Sequence, residues 1–374
     1  MNPVISELSE ENNYLKFTLS GVDVSIANSL RRIMLSEIPT FVFRTTPYEK
    51  NNVIFEENTS RLNNELLKQR ISCIPIYIDD LEFPKEKFII ELDVVNNTDS
   101  IIYITTQDFK IKDIETNKYL TESDTNKIFP PDKITNSYID IARLRPKISD
   151  SIGGESLKIR AKLDIGNAKE DSAFNVVATC SYGATPDRIK SNDAWNVKVK
   201  ELQQDNVNIE SAKKDWQYLE GKRFIKNNSF DFIVESVGQF KNEAIVYKAA
   251  KIMIQKINKF MDNIQEQDNM ISEANTTIPY CFDIKLEGED YTLGKVIEYV
   301  LYTKHYNGSN EGSSNTLSFC GFRKPHPHID ISYIRLAFVK AENAEKIAVI
   351  GILVESLSTI INVYEKIMFE FKNE

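Results

Sequence analysis

The apolar positions of this chain change their period several times, and those changes mark out its elements. Residues 14–19, YLKFTL, alternate as a half-buried strand does. After Gly21, Asp23 or Ser25 can cap a helix whose apolar residues Ile26, Leu30, Ile33 and Met34 return every three or four positions. Pro39 stops it, leaving Arg31 and Arg32 on the more polar side. Short strands are predicted over 40–48 and 51–56. Next, Asn58, Thr59 or Ser60 can cap a short helix bearing Leu62, Leu66 and Leu67, which Pro75 ends before an apolar strand. From about 80 to 182 the texture is of strands broken by Asn, Asp, Thr and Pro, clearest in FIIELDVV (88–95), SIIYIT (100–105), SLKIRAKLDIG (156–166) and AFNVVATCSYG (173–183). Ile152–Gly153–Gly154–Glu155 reads as a turn, since it lacks the Lys and Ser/Thr of a phosphate loop.

Residues 186–227 carry mixed charge with Trp195, Trp216 and Tyr218 scattered among them, and predict a surface excursion with short helices. Regularity returns at FDFIVESVG (230–238), a strand ending in Gly, followed by a long helix with Ile245, Ala249, Ile252, Ile257, Phe260 and Ile264 on one face. The polar, aperiodic stretch QEQDNMISEANTT (265–277) predicts a linker with a reach of up to about 43 Å. Beyond it come a strand, CFDIKLEG, and a helix carrying Leu293, Val296, Ile297, Val300 and Leu301. A Gly/Ser/Asn loop (307–315) leads to strands near 316–320 and 330–339. In the final helix Ile347, Ile350, Val354, Leu357, Ile361, Tyr364, Met368 and Phe371 are spaced alternately three and four apart. Leu353, Ile360 and Ile367 widen that stripe, which predicts burial in a protein core.

Two of these stretches echo each other. Residues 19–35, LSGVDVSIANSLRRIML, align with 286–302, LEGEDYTLGKVIEYVLY, at an offset of 267 that sets Gly21 on Gly288 and Asp23 on Asp290. Ser25 then falls on Thr292, Ile26 on Leu293, Leu30 on Ile297, Ile33 on Val300 and Met34 on Leu301. The spacing is too long for a solenoid and predicts two related modules in one chain.

At 374 residues the chain has room for two or three domains, and 41% hydrophobic with 27% charged content is ordinary for a soluble globular protein. A net charge of −9 argues against a broad grip on nucleic acid, though not against a local basic patch. Cys73, Cys180, Cys281 and Cys320 form no C-x-x-C pair, which suits a reducing compartment. The N-terminus shows no signal-peptide pattern, and no 18-residue stretch is apolar throughout, so neither export nor a spanning helix is expected. His326 and His328 flank Pro327 with Cys320 nearby, but the spacing fits no zinc pattern. His305, the third histidine, is likewise expected to be structural or solvated. No nucleophile elbow, H-E-x-x-H, Walker motif or NADFDGD-type aspartate cluster occurs, and no catalytic residue is assigned.

In chain order these stretches resemble the two α-like subunits of multisubunit DNA-directed RNA polymerase, joined in one polypeptide. In eukaryotes these are the third-largest and eleventh subunits, in archaea D and L, and in bacteria the paired α amino-terminal domains. DVSIANSLRRIMLSEIPTF and ENTSRLNNELLKQRISCIPI resemble motifs of the larger partner. SLKIRAKLDIGNAKEDSAFNVVATCSYG resembles the end of its inserted β domain, and FDFIVESVG the return to the dimerisation domain. EDYTLGKVIEYVLY and FCGFRKPHPHIDISYIRLAF resemble the smaller partner.

The resemblance implies an α+β fold of two pseudo-symmetric α-like dimerisation modules paired through helices, with a β-rich domain inserted in the first. Residues 1–50 and 228–264 would be the first module, 51–185 the insertion, 186–227 the excursion, 265–277 the linker and 278–374 the second module. Ile26, Leu30, Ile33, Leu293, Ile297, Val300, Val354, Leu357 and Ile361 are the expected pairing core. Asn28, Arg31, Arg32 and Glu37 are the expected contacts to a large subunit. Thr292, Leu293 and Gly294, with Pro325, His326 and Pro327, match the smaller partner's signatures. The implied role is a non-catalytic platform for the two large catalytic subunits and small polymerase subunits. It would have little nucleic-acid contact, no membrane association and no homo-oligomer. Many larger partners carry a metal cluster in the inserted domain, but residues 80–100 hold no cysteine, so no metal or cofactor is expected. Fusion resembles the habit of large nucleocytoplasmic DNA viruses, implying action in virion and host cytoplasm; otherwise nucleus or cytoplasm is expected. The competing readings are a free-standing transcription regulator or assembly factor and, from another class, a metal enzyme around Cys320, His326 and His328.

Overall fold

The computed structural model describes residues 1–147, 149, 153–203, 208–266, 269–306 and 314–372. Ile152 of the expected turn and 307–313 of the expected Gly/Ser/Asn loop lie outside them.

The first elements are β1 (Val4–Glu11), β2 (Tyr14–Ser20), α1 (Val24–Ser36), β3 (Thr40–Val42), β4 (Val53–Asn58) and α2 (Asn64–Ser72). Next are β5 (Phe88–Val95), β6 (Ile102–Thr105), β7 (Lys110–Asp113), α3 (Glu122–Ile128), β8 (Asp140–Leu144), β9 (Ser156–Ala161), β10 (Asp164–Gly166) and β11 (Val177–Pro186). Then come α4 (Arg188–Leu202), α5 (Ile209–Tyr218), β12 (Ile225–Ser236), α6 (Asn242–Glu266) and β13 (Ile271–Glu273). The chain closes with β14 (Cys281–Glu287), α7 (Tyr291–His305), β15 (Leu317–Arg323), β16 (Ile331–Phe338) and α8 (Lys346–Glu370).

Two compact units result. The first comprises residues 1–34, 179–235 and 242–374 and contains two four-stranded sheets, ordered β1-β2-β12-β11 and β13-β14-β16-β15. The two sheets share one plan. In each, the strand that leads into the Gly turn (β2 or β14) pairs antiparallel with the strand that precedes a 25-residue helix (β12 before α6, β16 before α8). The Gly turn itself feeds α1 or α7. Helix α6 packs along α8, and α7 packs on α8 as well. Ile245, Val246, Ala249, Ala250, Met253 and Ile257 of α6 are fully buried, as are Val349, Leu353, Leu357, Ile360, Tyr364 and Ile367 of α8. The excursion folds as α4 and α5, tied by ring contacts of Trp195 with Trp216 and of Trp216 with Phe224.

Three local expectations need correction. The buried stripe of α8 is rotated from the predicted one. Ile347 is 79% exposed, Ile350, Val354, Ile361 and Met368 are half-buried, and Val349, Leu353, Ser356, Ile360 and Val363 face inward. On α6, Met253 takes the core place expected for Ile252, which is half-buried. The stretch 265–277 is also more than a linker. It contains the end of α6 and strand β13, which pairs with β14 from Ile271↔Ile284 to Glu273↔Phe282, with Met270 and Ile271 buried. In addition, α8 holds an 18-residue window of mean hydropathy 1.9, long and apolar enough to cross a membrane, where no spanning helix was expected. The core helix of a soluble protein passes the same test of length and composition; 39% of this window is buried, and α8 lies packed against α6 and α7.

The second unit, residues 35–178 and 236–241, holds a four-stranded sheet ordered β4-β9-β5-β7 and two two-stranded sheets, β6-β8 and β10-β3. Phe41, Phe43, Ile76, Ile90, Leu92, Ile111, Leu157 and Ile159 lie in its core. Two polar anchors are buried there. Arg44 donates to Asp164 at 2.5 Å, the Ile165 carbonyl at 2.8 Å and Glu170 at 2.9 Å. Asn96, fully buried, donates to the Ser100 and Leu144 carbonyls at 2.9 Å and accepts from the Thr98 amide at 3.0 Å. The Asn96 carbonyl lies so close to Gly154 that a Cβ there would come within 1.8 Å of its oxygen.

Candidate assembly surface

The echoed stretches fold into near-copies. Gly21 and Gly288 both take the left-handed backbone, at φ +74° and +70°, which glycine adopts without a Cβ penalty. Their amides donate to the Asn228 and Asp330 carbonyls at 2.8 and 2.7 Å. Two residues on, Asp23 Oδ1 accepts from the Ser25 amide and Asp290 Oδ1 from the Thr292 amide, each at 2.8 Å. Each carboxylate satisfies an amide that the first turn of its helix leaves unpaired. The likeness extends to the thiols. Cys180 of β11 donates to the Arg31 carbonyl at 3.8 Å and Cys320 of β15 to the Glu298 carbonyl at 3.9 Å. Arg31 and Glu298 stand at the same 267-residue offset. Burial pushes both thiols up to about 12.

The residues expected to form the pairing core divide by burial. Ile26, Leu30 and Ile33 of α1, Leu293, Ile297 and Val300 of α7, and Leu357 of α8 are all at most 1% exposed. Val354 and Ile361 sit half-buried at the flank of the α8 stripe. Helix α1 reaches α8 through a buried hydrogen bond. Ser29 Oγ donates to the Ile26 carbonyl at 2.8 Å and so accepts from the Tyr364 hydroxyl, whose pKa burial raises. Lys256 of α6 pairs with Glu289, just ahead of α7, at 2.8 Å.

The expected large-subunit contacts fare differently. Asn28 Oδ1 accepts from Arg31 Nε at 3.2 Å and Nη2 at 2.9 Å, which holds both side chains half-exposed on α1. Arg32 turns onto the cap of α7, with Nη2 on Asp290 Oδ2 at 2.7 Å and Nε on Thr292 Oγ1 at 2.8 Å. Glu37 belongs to the second unit and is half-buried. Sequence reading passed over the Ser29–Tyr364 bond, the Arg32 bridge to Asp290 and the equivalence of Cys180 and Cys320. The offset was the available signal, because it sets a second capping Asp and hydroxyl at 290 and 292.

His326 and His328 are exposed, with ring centroids 5.2 Å apart. His305 is buried, which lowers its pKa, and its Nδ1 lies 3.0 Å from Ser314 Oγ. Among the described residues no three His, Cys, Asp or Glu side chains converge on a metal position. In the second unit a cleft of about 550 Å³ carries Arg61, Arg70, Arg143 and Arg145 on its wall, a local basic feature in an acidic chain.

A strand–Gly–Asp–helix unit thus occurs twice in the first unit, backed by buried helices. Residues 16–257 match the model of the RNA polymerase Rpb3/Rpb11 dimerisation domain, and the chain belongs to that family. It is 27% identical to the DNA-directed RNA polymerases IV and V subunit 3B of Arabidopsis thaliana, over 72% of this chain and 95% of that protein. Identity is also 27% to the DNA-directed RNA polymerases I and III subunit rpac1 of Dictyostelium discoideum, over 71% of this chain and 83% of the relative. For DNA-directed RNA polymerase subunit Rpo3 of Pyrococcus furiosus it is 27% over 69% and 96%. The family match ends inside α6, so β13 to β16, α7 and α8 lie beyond it.

Proposed function

We propose that this chain is a non-catalytic subunit of a DNA-directed RNA polymerase, an intramolecular α-like heterodimer on which the two large catalytic subunits assemble. Family membership and relatives named as polymerase subunits support the general role. One observation carries the finer reading. The elements beyond the family match repeat, in order, those within it, down to the Gly turn, the capping Asp and the buried thiol. Under this reading α6 and α8 are the seam between a larger and a smaller partner. The first module, expected over 1–50 and 228–264, then comprises 1–34, β11, β12 and α6, the second is 278–374, and the insertion is the second unit rather than 51–185. Arg31 and Asn28 offer a half-exposed polar pair for a large subunit, whereas Arg32 acts within the seam. One chain carrying both partners fits a large DNA virus transcribing in virion and host cytoplasm.

Gentle affinity purification of the full chain with quantitative mass spectrometry tests the proposal. Two much larger polymerase subunits are expected in equimolar amount, and the isolated chain should be a monomer without nucleotidyl transfer. Sub-stoichiometric recovery would favour a free-standing regulator instead.

A further inference from the structure

The two helix caps differ in what lies across them. At the second, the Arg32 guanidinium bridges Asp290 and Thr292, with contacts of 2.7 and 2.8 Å. At the first, the offset places Asp23 and Ser25 at the corresponding positions, and the residue corresponding to Arg32 is Tyr299. Asp23 forms no ion pair among the described residues, although its Oδ1 accepts from the Ser25 amide at 2.8 Å. The Ser25 hydroxyl is buried and has no hydrogen-bond partner there. A buried hydroxyl left unmatched is unfavourable and calls for an explanation. Beside these groups opens a cleft of about 380 Å³, walled also by Asn28, Tyr299 and Tyr302. That volume is many times the ~30 Å³ of a water molecule and holds the head of a side chain. Lys295, at its rim, is already paired with Glu298 at 2.5 Å. A carboxylate, a hydroxyl and tyrosine faces together suit a planar cation with several fixed donors.

We propose that Asp23 and Ser25 form a receptor for an arginine side chain of a partner polypeptide, a second copy of the cradle that Arg32 fills at Asp290 and Thr292. A guanidinium reaches carboxylate and hydroxyl at once, as Arg32 does, whereas an ammonium offers a single point charge. The inference rests on the scaffold reading only for the partner's identity, a polymerase subunit.

Amide NMR of the full chain, titrated with Nα-acetyl-arginine methylamide, tests the cradle directly. Saturable shifts of the Val24 and Ser25 amides are expected at millimolar probe, with the lysine analogue about tenfold weaker and the neutral citrulline analogue silent. D23N should abolish the response and S25A weaken it severalfold. Y299R, which supplies a guanidinium from within, should also abolish it. Equal response to the arginine and lysine probes would overturn the proposal, as would an unchanged titration in D23N. If Y299R does not fold, an unaltered S25A titration would itself refute the two-point cradle. Failure to recover large subunits would sink the scaffold reading and leave this titration as it was.

Discussion

Residues 14–36 and 281–305 build the same strand, glycine turn and capped helix, yet the chain takes very different routes out of the two helices. After α1 the first copy runs through β3 to β10 before it reaches β11, whereas the second passes from α7 to β15 with 306–316 between them. Both nevertheless place a cysteine under the carbonyl at the same helical position, Arg31 in one and Glu298 in the other. The sheet and its helices are therefore indifferent to what departs from the end of the first helix. The cap tells the opposite story. There the residue across the cap differs, Arg32 against Tyr299, and among the described residues an ion pair from inside the unit closes the second cap and not the first.

The largest effect should come from Leu30→Asp combined with Ile297→Asp. Both positions are fully buried, one in each copy, and each change would put an unpaired charge into the core. Circular dichroism and gel filtration should show an unfolded or aggregated chain; a folded monomer would mean the two sites do not support one core. Tyr364→Ala comes next, because the ring is fully buried and its loss should cost about 3–5 kcal/mol in urea denaturation. Tyr364→Phe keeps the ring and removes the bond to Ser29, for about 1 kcal/mol, since Ser29 still donates to Ile26. Matching losses for the two variants would show that the hydroxyl, not the packing, joins α1 to α8.

Arg32→Met should be milder, about 0.2–1 kcal/mol, because the pair with Asp290 is 37% and 27% exposed and solvent screens it. Asp290→Asn made alongside should show non-additive loss, the mark of a direct pair. Arg32→Glu would set a carboxylate against Asp290, so Arg31 is the better probe of partner contact alone. The smallest perturbation is chemical. With Cys180 and Cys320 raised to about 12, both thiols stay protonated at pH 8, and iodoacetamide should label exposed Cys73 first. Rapid labelling of one of these two thiols and not the other in the native chain would contradict the equivalence of β11 and β15.

Much of this was legible in the chain. The offset located both glycine turns and both capping aspartates, because a left-handed turn and an N-cap each restrict residue type strongly. Helix α8 was harder. Apolar residues occupy nearly all its faces, so spacing alone could not choose between the Ile347/Ile350/Val354 and Val349/Leu353/Ile360 stripes; packing against α6 and α7 decides. Strand β13 was hidden because three residues, ISE, carry too little pattern and gain their order from β14. The equivalence of Cys180 and Cys320 escaped notice because the segments before them differ in length, so their spacing breaks the offset that their hydrogen-bond partners keep. Arg32 was placed by its family motif on a partner; the bridge of its Nε and Nη2 to Thr292 and Asp290 joins positions 260 and 258 residues apart, which local pattern does not show.

Helix α6 is complete by residue 266, but the helix packed along it begins only at 346. A ribosome that stops between the two releases a product whose α6 lacks the helix that packs along it. Such a fragment is a ready substrate for chaperones and proteases, while the finished polypeptide covers itself. An apolar helix made early thus depends for its cover on residues 346–370, far downstream.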